Sequence, residues 1–152
     1  MTTPISLDTV RELLLGAWRL VGWRITSAGR ASEPFGPGAD GLIVYTADGW
    51  MNASIARADR ARLSAGSVRQ ASDSEQCAAF ESYFNYAGRY TLRAIDGVAH
   101  VVHSVQFSLN PNFVGSEQVR RIHFDGDDRL SLSADEPVGG GLRQHCLDWR
   151  RA

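Results

Sequence analysis

Residues 98–109, VAHVVHSVQFSL, decide the fold. They alternate like one long β-strand, because side chains along a strand point to opposite faces with period two. Val101, Val105, Phe107 and Leu109 share the more apolar side with His103, while His100, Val102, Ser104, Gln106 and Ser108 take the other. With the apolar side inward, His103 is a titratable group in an apolar interior. An imidazole there either works in a pocket or is a buried hydrogen-bonder, tied to a backbone carbonyl or a tyrosine.

The neighbouring segments supply partners for this strand. Asp96-Gly97 forms a tight turn, and Arg89 to Ile95 run back along it. Asn110-Pro111-Asn112 ends it on the other side. Gln118 to Phe124 form the next strand, and residues 125–128 turn it into Leu130–Ser133. The triple glycine at 139–141 precedes a last strand, Arg143 to Arg150. Upstream, Ala17 to about Ile25 is a strand, and Leu42–Thr46 pairs with Trp50–Ile55 around the turn Ala47-Asp48-Gly49. Residues 27–41, SAGRASEPFGPGADG, are loop.

Two helices punctuate the strands. Residues 6–15 read as a short helix capped by Ser6, with Val10, Leu13 and Leu14 on one face. Ser72-Asp73-Ser74-Glu75 is a capping-box pattern that opens a second helix, extending to about Tyr86. Residues 57–72 are polar and weakly periodic, and are expected to form a loop that covers a cavity mouth together with this helix. The expectation is a mainly β, single-domain antiparallel barrel of about eight strands. Closing the sheet hides the strand edges, and a barrel of that size has room for one small ligand.

The bulk numbers narrow the function. A chain of 152 residues is one ordinary domain with a real core. A formal net charge of -1 gives no reason to expect nucleic acid or an acidic membrane as partner. No stretch approaches the roughly 18 apolar residues of a membrane span, and residues 1–18 lack a signal-peptide pattern. A cytoplasmic protein is expected, with Cys77 and Cys146 as free thiols. No phosphate-cradling glycine loop, dinucleotide fingerprint, two-histidine helix spacing, Cys-x-x-Cys or nucleophile elbow is present, so neither cofactor nor metal is expected.

Several segments resemble a known family. Gly16-Ala17-Trp18 is similar to the Gly-x-Trp entry of lipocalins. More specifically, GLIVYTADGWM at 41–51, YFNYAGRY at 83–90 and SLNPNFVGSEQVRRIHF at 108–124 resemble the bacterial and fungal lipocalin-like domain family. Residues 147–151, LDWRR, look like its closing strand. The resemblance spans residues 12–151 and implies a calycin-type barrel. Barrels of this shape serve as carriers, and some act as cofactor-free cyclases or isomerases, so fold analogy alone does not choose. The family's long strand often carries adjacent histidines, where this chain has His103-Ser104.

Candidate chemistry centres on two residues. His103 has an ordinary pKa near 6.5, suited to proton transfer at neutral pH. Arg120 shares a side of its strand with Gln118, Ile122 and Phe124, which points its guanidinium inward, either as a clamp for an oxyanion or as half of a structural pair that closes the barrel end. Tyr90, on the face of Leu92 and Ala94, could assist it. Tyr45, Met51, Tyr83, Phe84, Tyr86, Val105, Phe107, Asn112, Phe113 and Gln118 are the candidate pocket wall. Trp18 and Trp149 read as barrel plugs. The leading expectation is cofactor-free acid/base chemistry (a cyclase, isomerase or lyase) on a natural-product-like or aromatic carbonyl compound. The alternative is a carrier or sensor of a hydrophobic metabolite without turnover. A third class is an interaction module that uses a barrel face to form a homodimer.

Overall fold

A computed structural model describes residues 5–152. Helix α1 (Leu7–Leu14) leads into strand β1 (Gly16–Ser27), the short β2 (Arg30–Ser32), and the hairpin β3 (Asp40–Tyr45) and β4 (Trp50–Ala56). After helix α2 (Asp73–Glu81) come β5 (Tyr83–Ile95), β6 (Val98–Ser108), β7 (Glu117–Phe124), β8 (Arg129–Val138) and β9 (Gly141–Arg151). Eight strands run in the order β1-β3-β4-β5-β6-β7-β8-β9, and β9 pairs back onto β1 to close an antiparallel barrel. β2 only extends the far end of β1. Closure satisfies both would-be edges of the sheet. Among the described residues, no helix is long and apolar enough to cross a membrane.

Each helix forms where the sequence signals it, but α2 is shorter than its pattern suggests. The Ser72–Glu75 capping box is present with both of its hydrogen bonds. The helix ends at Glu81, and Tyr83 to Gly88 pair with β4 instead. The aromatic-rich segment YFNY suits a pleated, half-buried surface, and an open strand edge on β4 lies beside it. Phe80 on this helix is largely exposed. The 57–72 loop is fastened to α2. Glu75 accepts from the Ser64 backbone N–H at 2.8 Å, and Arg60 donates to the Ala79 carbonyl. No residue from 57 to 82 lines the barrel lumen, so this loop and helix do not cover it as expected.

One end of the barrel is shut. α1 buries Val10 and Leu14, and the Leu14 carbonyl accepts from Trp18 Nε1 at 2.9 Å. The Arg151 guanidinium lies 3.9 Å over the Trp18 ring and donates to the Leu13 and Leu15 carbonyls, satisfying the helix C-terminus.

Two irregularities decide which side chains face the lumen. The β5–β6 hairpin turns tightly through Asp96 (φ 51) and Gly97 (φ 76), as a two-residue turn requires. Further along, Gly88 pairs with Val105 but Ala87 pairs with Phe107, so Gln106 is an extra residue. A Cβ at Gly88 would collide with the Ser104 carbonyl, so only glycine admits this approach. Beyond the bulge the faces exchange, and Phe107 emerges on the outside, 66% exposed. Phe107 is therefore not a pocket-wall residue, contrary to its alternation with His103. A second bulge at Val21 lies between Leu20 and Gly22 and keeps both Leu20 and Trp23 inside.

Candidate functional site

From the plugged end outward, the lumen contains a cavity of about 360 Å³. β5, β6 and β7 supply one wall: Tyr86, His103, Gln118 and Arg120. β9 and β1 supply the opposite wall with Trp149, Leu147, His145 and Trp23. Ile43, Ala53 and Ile55 from the β3–β4 hairpin and Leu132 from β8 fill in between. Phe84 and Phe113 stand at the open end, with ring centroids 6.2 Å apart, and Phe84 meets Trp23 edge-on. The surface is mostly apolar and aromatic with a few placed polar groups, the usual make-up of a small-molecule site.

The polar centre is a relay of three buried side chains. Tyr45 Oη lies 2.7 Å from His103 Nε2, and Tyr86 Oη lies 2.6 Å from His103 Nδ1. The imidazole is 1% exposed, and both tyrosines are buried. Tyr86 comes from β5, where its register partner is Ser108 rather than His103, and Tyr45 comes from β3, so both side chains reach the imidazole through the barrel interior. Burial, reinforced by the nearby Arg120 charge, pushes the His103 pKa down to about 3. Burial likewise pushes Tyr86 up to about 12 and Tyr45 well above the usual phenol range. At neutral pH all three groups are uncharged.

Arg120 faces the lumen from β7, opposite Val101 in register. It donates to its neighbour's carbonyl, Val119 O, at 3.0 Å and to Gln118 Oε1 at 3.3 Å. The Gln118 amide is held in turn by donating to Ser116 Oγ at 3.0 Å. Among the described residues, no carboxylate lies within ion-pairing distance of Arg120. Arg121, on the opposite face, is exposed and pairs with Asp135.

The remaining sequence candidates divide plainly. Phe84, Tyr86, Phe113, Gln118, His103 and Arg120 come together around the cavity. Tyr45, Met51 and Val105 are buried in the core but do not reach its surface. Tyr90 lies at the plugged end, where its hydroxyl donates to Thr46 O at 2.7 Å and its ring faces Arg11 of α1. It is not beside Arg120 in the cavity wall. Tyr83 is on the outer face under Arg60, with the guanidinium 5.0 Å from its ring centroid. Asn112 is exposed, and it is Asn110, two residues earlier, that reaches the cavity. Trp23, His145 and Leu147 also line the cavity although the sequence does not single them out, and Trp149, which reads as a plug, is part of its wall. Strict alternation of His145, Leu147 and Trp149 on the last strand carried that signal. The Val21 bulge hid Trp23.

Protonation of His103 links this relay to stability. Its folded pKa is depressed, so the unfolded chain binds the extra proton between about pH 6.5 and about 3. The stabilisation is present above that window and is lost as pH falls through it. We expect the unfolding free energy to drop by about 1 kcal/mol per pH unit below pH 6.5 on this account. His103→Gln should flatten that slope, as measured by urea titration at pH 7.0, 6.0 and 5.0.

The fold and the site together define a closed antiparallel cup with an aromatic, partly polar lumen. A lipocalin-like domain model matches residues 15–152, and the chain belongs to that family. It is 31% identical, over 107 residues, to the 4'-hydroxy-3'-methoxypropiophenone carrier protein of Aspergillus oryzae. That match covers 66% of this chain and 96% of the relative. Among solved structures, a redesigned β-barrel matches 93% of this chain at 13% identity with a TM-score of 0.43.

Proposed function

We propose that this protein binds and carries a small aromatic carbonyl compound in its lumen without transforming it. One observation carries the reading: the residue best suited to move a proton, His103, has both ring nitrogens engaged by buried tyrosines. With a pKa near 3, it is a weak base in neutral solution. The relay thus serves to shape and polarise a wall. A cavity of about 360 Å³ is at the small end of the usual ligand-site range, fitting a single substituted ring with a short side chain. The carrier function named for the Aspergillus relative agrees with this. The rival reading, acid/base turnover by His103 with Arg120 holding an oxyanion, has less support, because it requires the imidazole to leave its tyrosine partners.

Calorimetric titration with 4'-hydroxypropiophenone tests the proposal. One ligand per chain is expected, with a dissociation constant on the order of micromolar, equivalent to about -8 kcal/mol. The ketone should be recovered intact by chromatography. Absence of binding, or steady conversion of the ketone, would contradict a carrier.

A further inference from the structure

The hydrogen count in the Tyr45–His103–Tyr86 relay determines what the lumen offers a ligand. Two phenolic hydroxyls and one neutral imidazole bring three hydrogens to two contacts. One hydrogen is left over. If Tyr86 donates to Nδ1, then Nε2–H donates to Tyr45, and the Tyr45 hydrogen is stranded in the core. Tyr45 is 1% exposed, and its hydroxyl has no partner other than His103. A stranded buried donor costs about 1–3 kcal/mol. The opposite arrangement strands nothing. Tyr45 donates to Nε2, Nδ1–H donates to Tyr86, and the Tyr86 hydrogen faces the cavity that Tyr86 lines.

The other spare polar capacity in the cavity is of the same kind. Trp149 Nε1 and Trp23 Nε1 are buried donors without a partner, and both residues line the cavity. Trp149 is 2% exposed. Two of the five Arg120 N–H groups are engaged by Val119 O and Gln118 Oε1, and the rest are spare. The side-chain amide oxygens are already partly engaged: Gln118 Oε1 accepts from Arg120, and Asn110 Oδ1 accepts from the Asn112 N–H. His145, the second histidine on the wall, lies with Nε2 3.1 Å from Glu136 Oε2 at the exposed end. Among the described residues, no aspartate or glutamate lines the cavity. Tyr86 on β5 and Trp149 on β9 stand on facing walls, four strands apart in either direction around the barrel.

From this arrangement we infer that the lumen selects an acceptor-rich aryl ligand in its oxyanion form. The negative oxygen, a phenolate or an equivalent enolate, sits at Arg120 and Tyr86, and a second acceptor oxygen meets the indole N–H groups opposite. The inference rests on the carrier reading and names the ligand state that reading leaves open. Arg120 is the positive charge that stabilises the anion in a low-dielectric site. His103 is a positioning residue: it holds Tyr86 with its hydrogen turned inward. A ligand bearing an ammonium group would meet the like charge of Arg120, with no carboxylate on the lining to offset it.

The test compares 4'-hydroxypropiophenone with its O-methyl ether, using the red-shifted absorbance of the phenolate. Bound to the protein, the phenol should ionise about one pH unit or more lower than it does free, a tenfold preference for the anion. At pH 8.5 the phenol should bind at least about tenfold more tightly than the ether, equivalent to about 1.4 kcal/mol. Arg120→Gln should bring the two affinities together and cancel the absorbance shift. Tyr86→Phe, which removes one donor and leaves the charge, should reduce the preference in part. If both compounds bind equally and the bound phenol ionises no more readily than the free one, the inference fails and the carrier reading stands. If neither binds, both fail.

Discussion

Replacing His103 by leucine should lower the unfolding free energy by about 3 kcal/mol or more. The substitution removes the shared partner of two buried hydroxyls, Tyr45 at 2.7 Å and Tyr86 at 2.6 Å. Each buried group left unsatisfied costs about 1–3 kcal/mol. Tyr86 can turn toward the cavity and recover part of its loss, but Tyr45 cannot. The sign of the effect in combined variants is the diagnostic feature. Replacing both partners of a hydrogen bond by apolar groups can be nearly neutral. The triple variant Tyr45→Phe, His103→Leu, Tyr86→Phe should therefore be more stable than His103→Leu alone. Denaturant titration of the single and triple variants decides this. A triple variant less stable than the single one would show that the hydroxyls are anchored elsewhere.

Ala53→Phe should weaken binding of an aryl ketone by at least about 100-fold, or about 2.7 kcal/mol. Ala53 sits on β4 between Ile43 and Tyr86 in register, with its methyl group lining the cavity. A phenyl ring there would occupy the space beside the Tyr86 hydroxyl, where the ligand oxygen is expected. The added ring enters empty volume, so the cost to folding should be much smaller than the loss of binding. Phe107→Ala is the matched control. Phe107 is on the outside, and its removal should change affinity by less than about twofold, as for surface substitutions generally. Isothermal titration of both variants separates lumen binding from binding to an outer face.

The contrast between these two positions shows how far the sequence could be read. Alternation along 98–109 placed His103 inward correctly, and turn spacing gave a closed antiparallel barrel with two helices. Alternation failed at Phe107 because one extra residue, Gln106, exchanges the faces beyond it. The enabling feature, a glycine opposite the bulge at Gly88, lies on another strand and is visible only once register is known. The second helix was overextended for a related reason. A capping box marks where a helix starts, but nothing in Tyr83–Tyr86 marks an end except the neighbouring strand that claims it.

The candidate site was legible residue by residue but not as an arrangement. Inward parity identified His103, Arg120 and Gln118 from their own strands. That His103 meets two tyrosines, from β3 and from β5, depends on contacts across the barrel. Tyr90 shared the inward parity of Tyr86 on β5, yet it lies four residues nearer the plugged end and is spent on Thr46 O. Parity gives the face of a strand but not the depth in the barrel. Trp149 shows the same limit: a plug by residue type, it is also a cavity wall with a free indole N–H.

The most direct test is a crystal structure of the protein soaked with a brominated phenolic aryl ketone, read from the anomalous signal of bromine. The account predicts one peak inside the barrel, with the phenolic oxygen within hydrogen-bond distance of Arg120 and Tyr86. A lumen without bromine, with the peak on the outer sheet surface or absent, would contradict it.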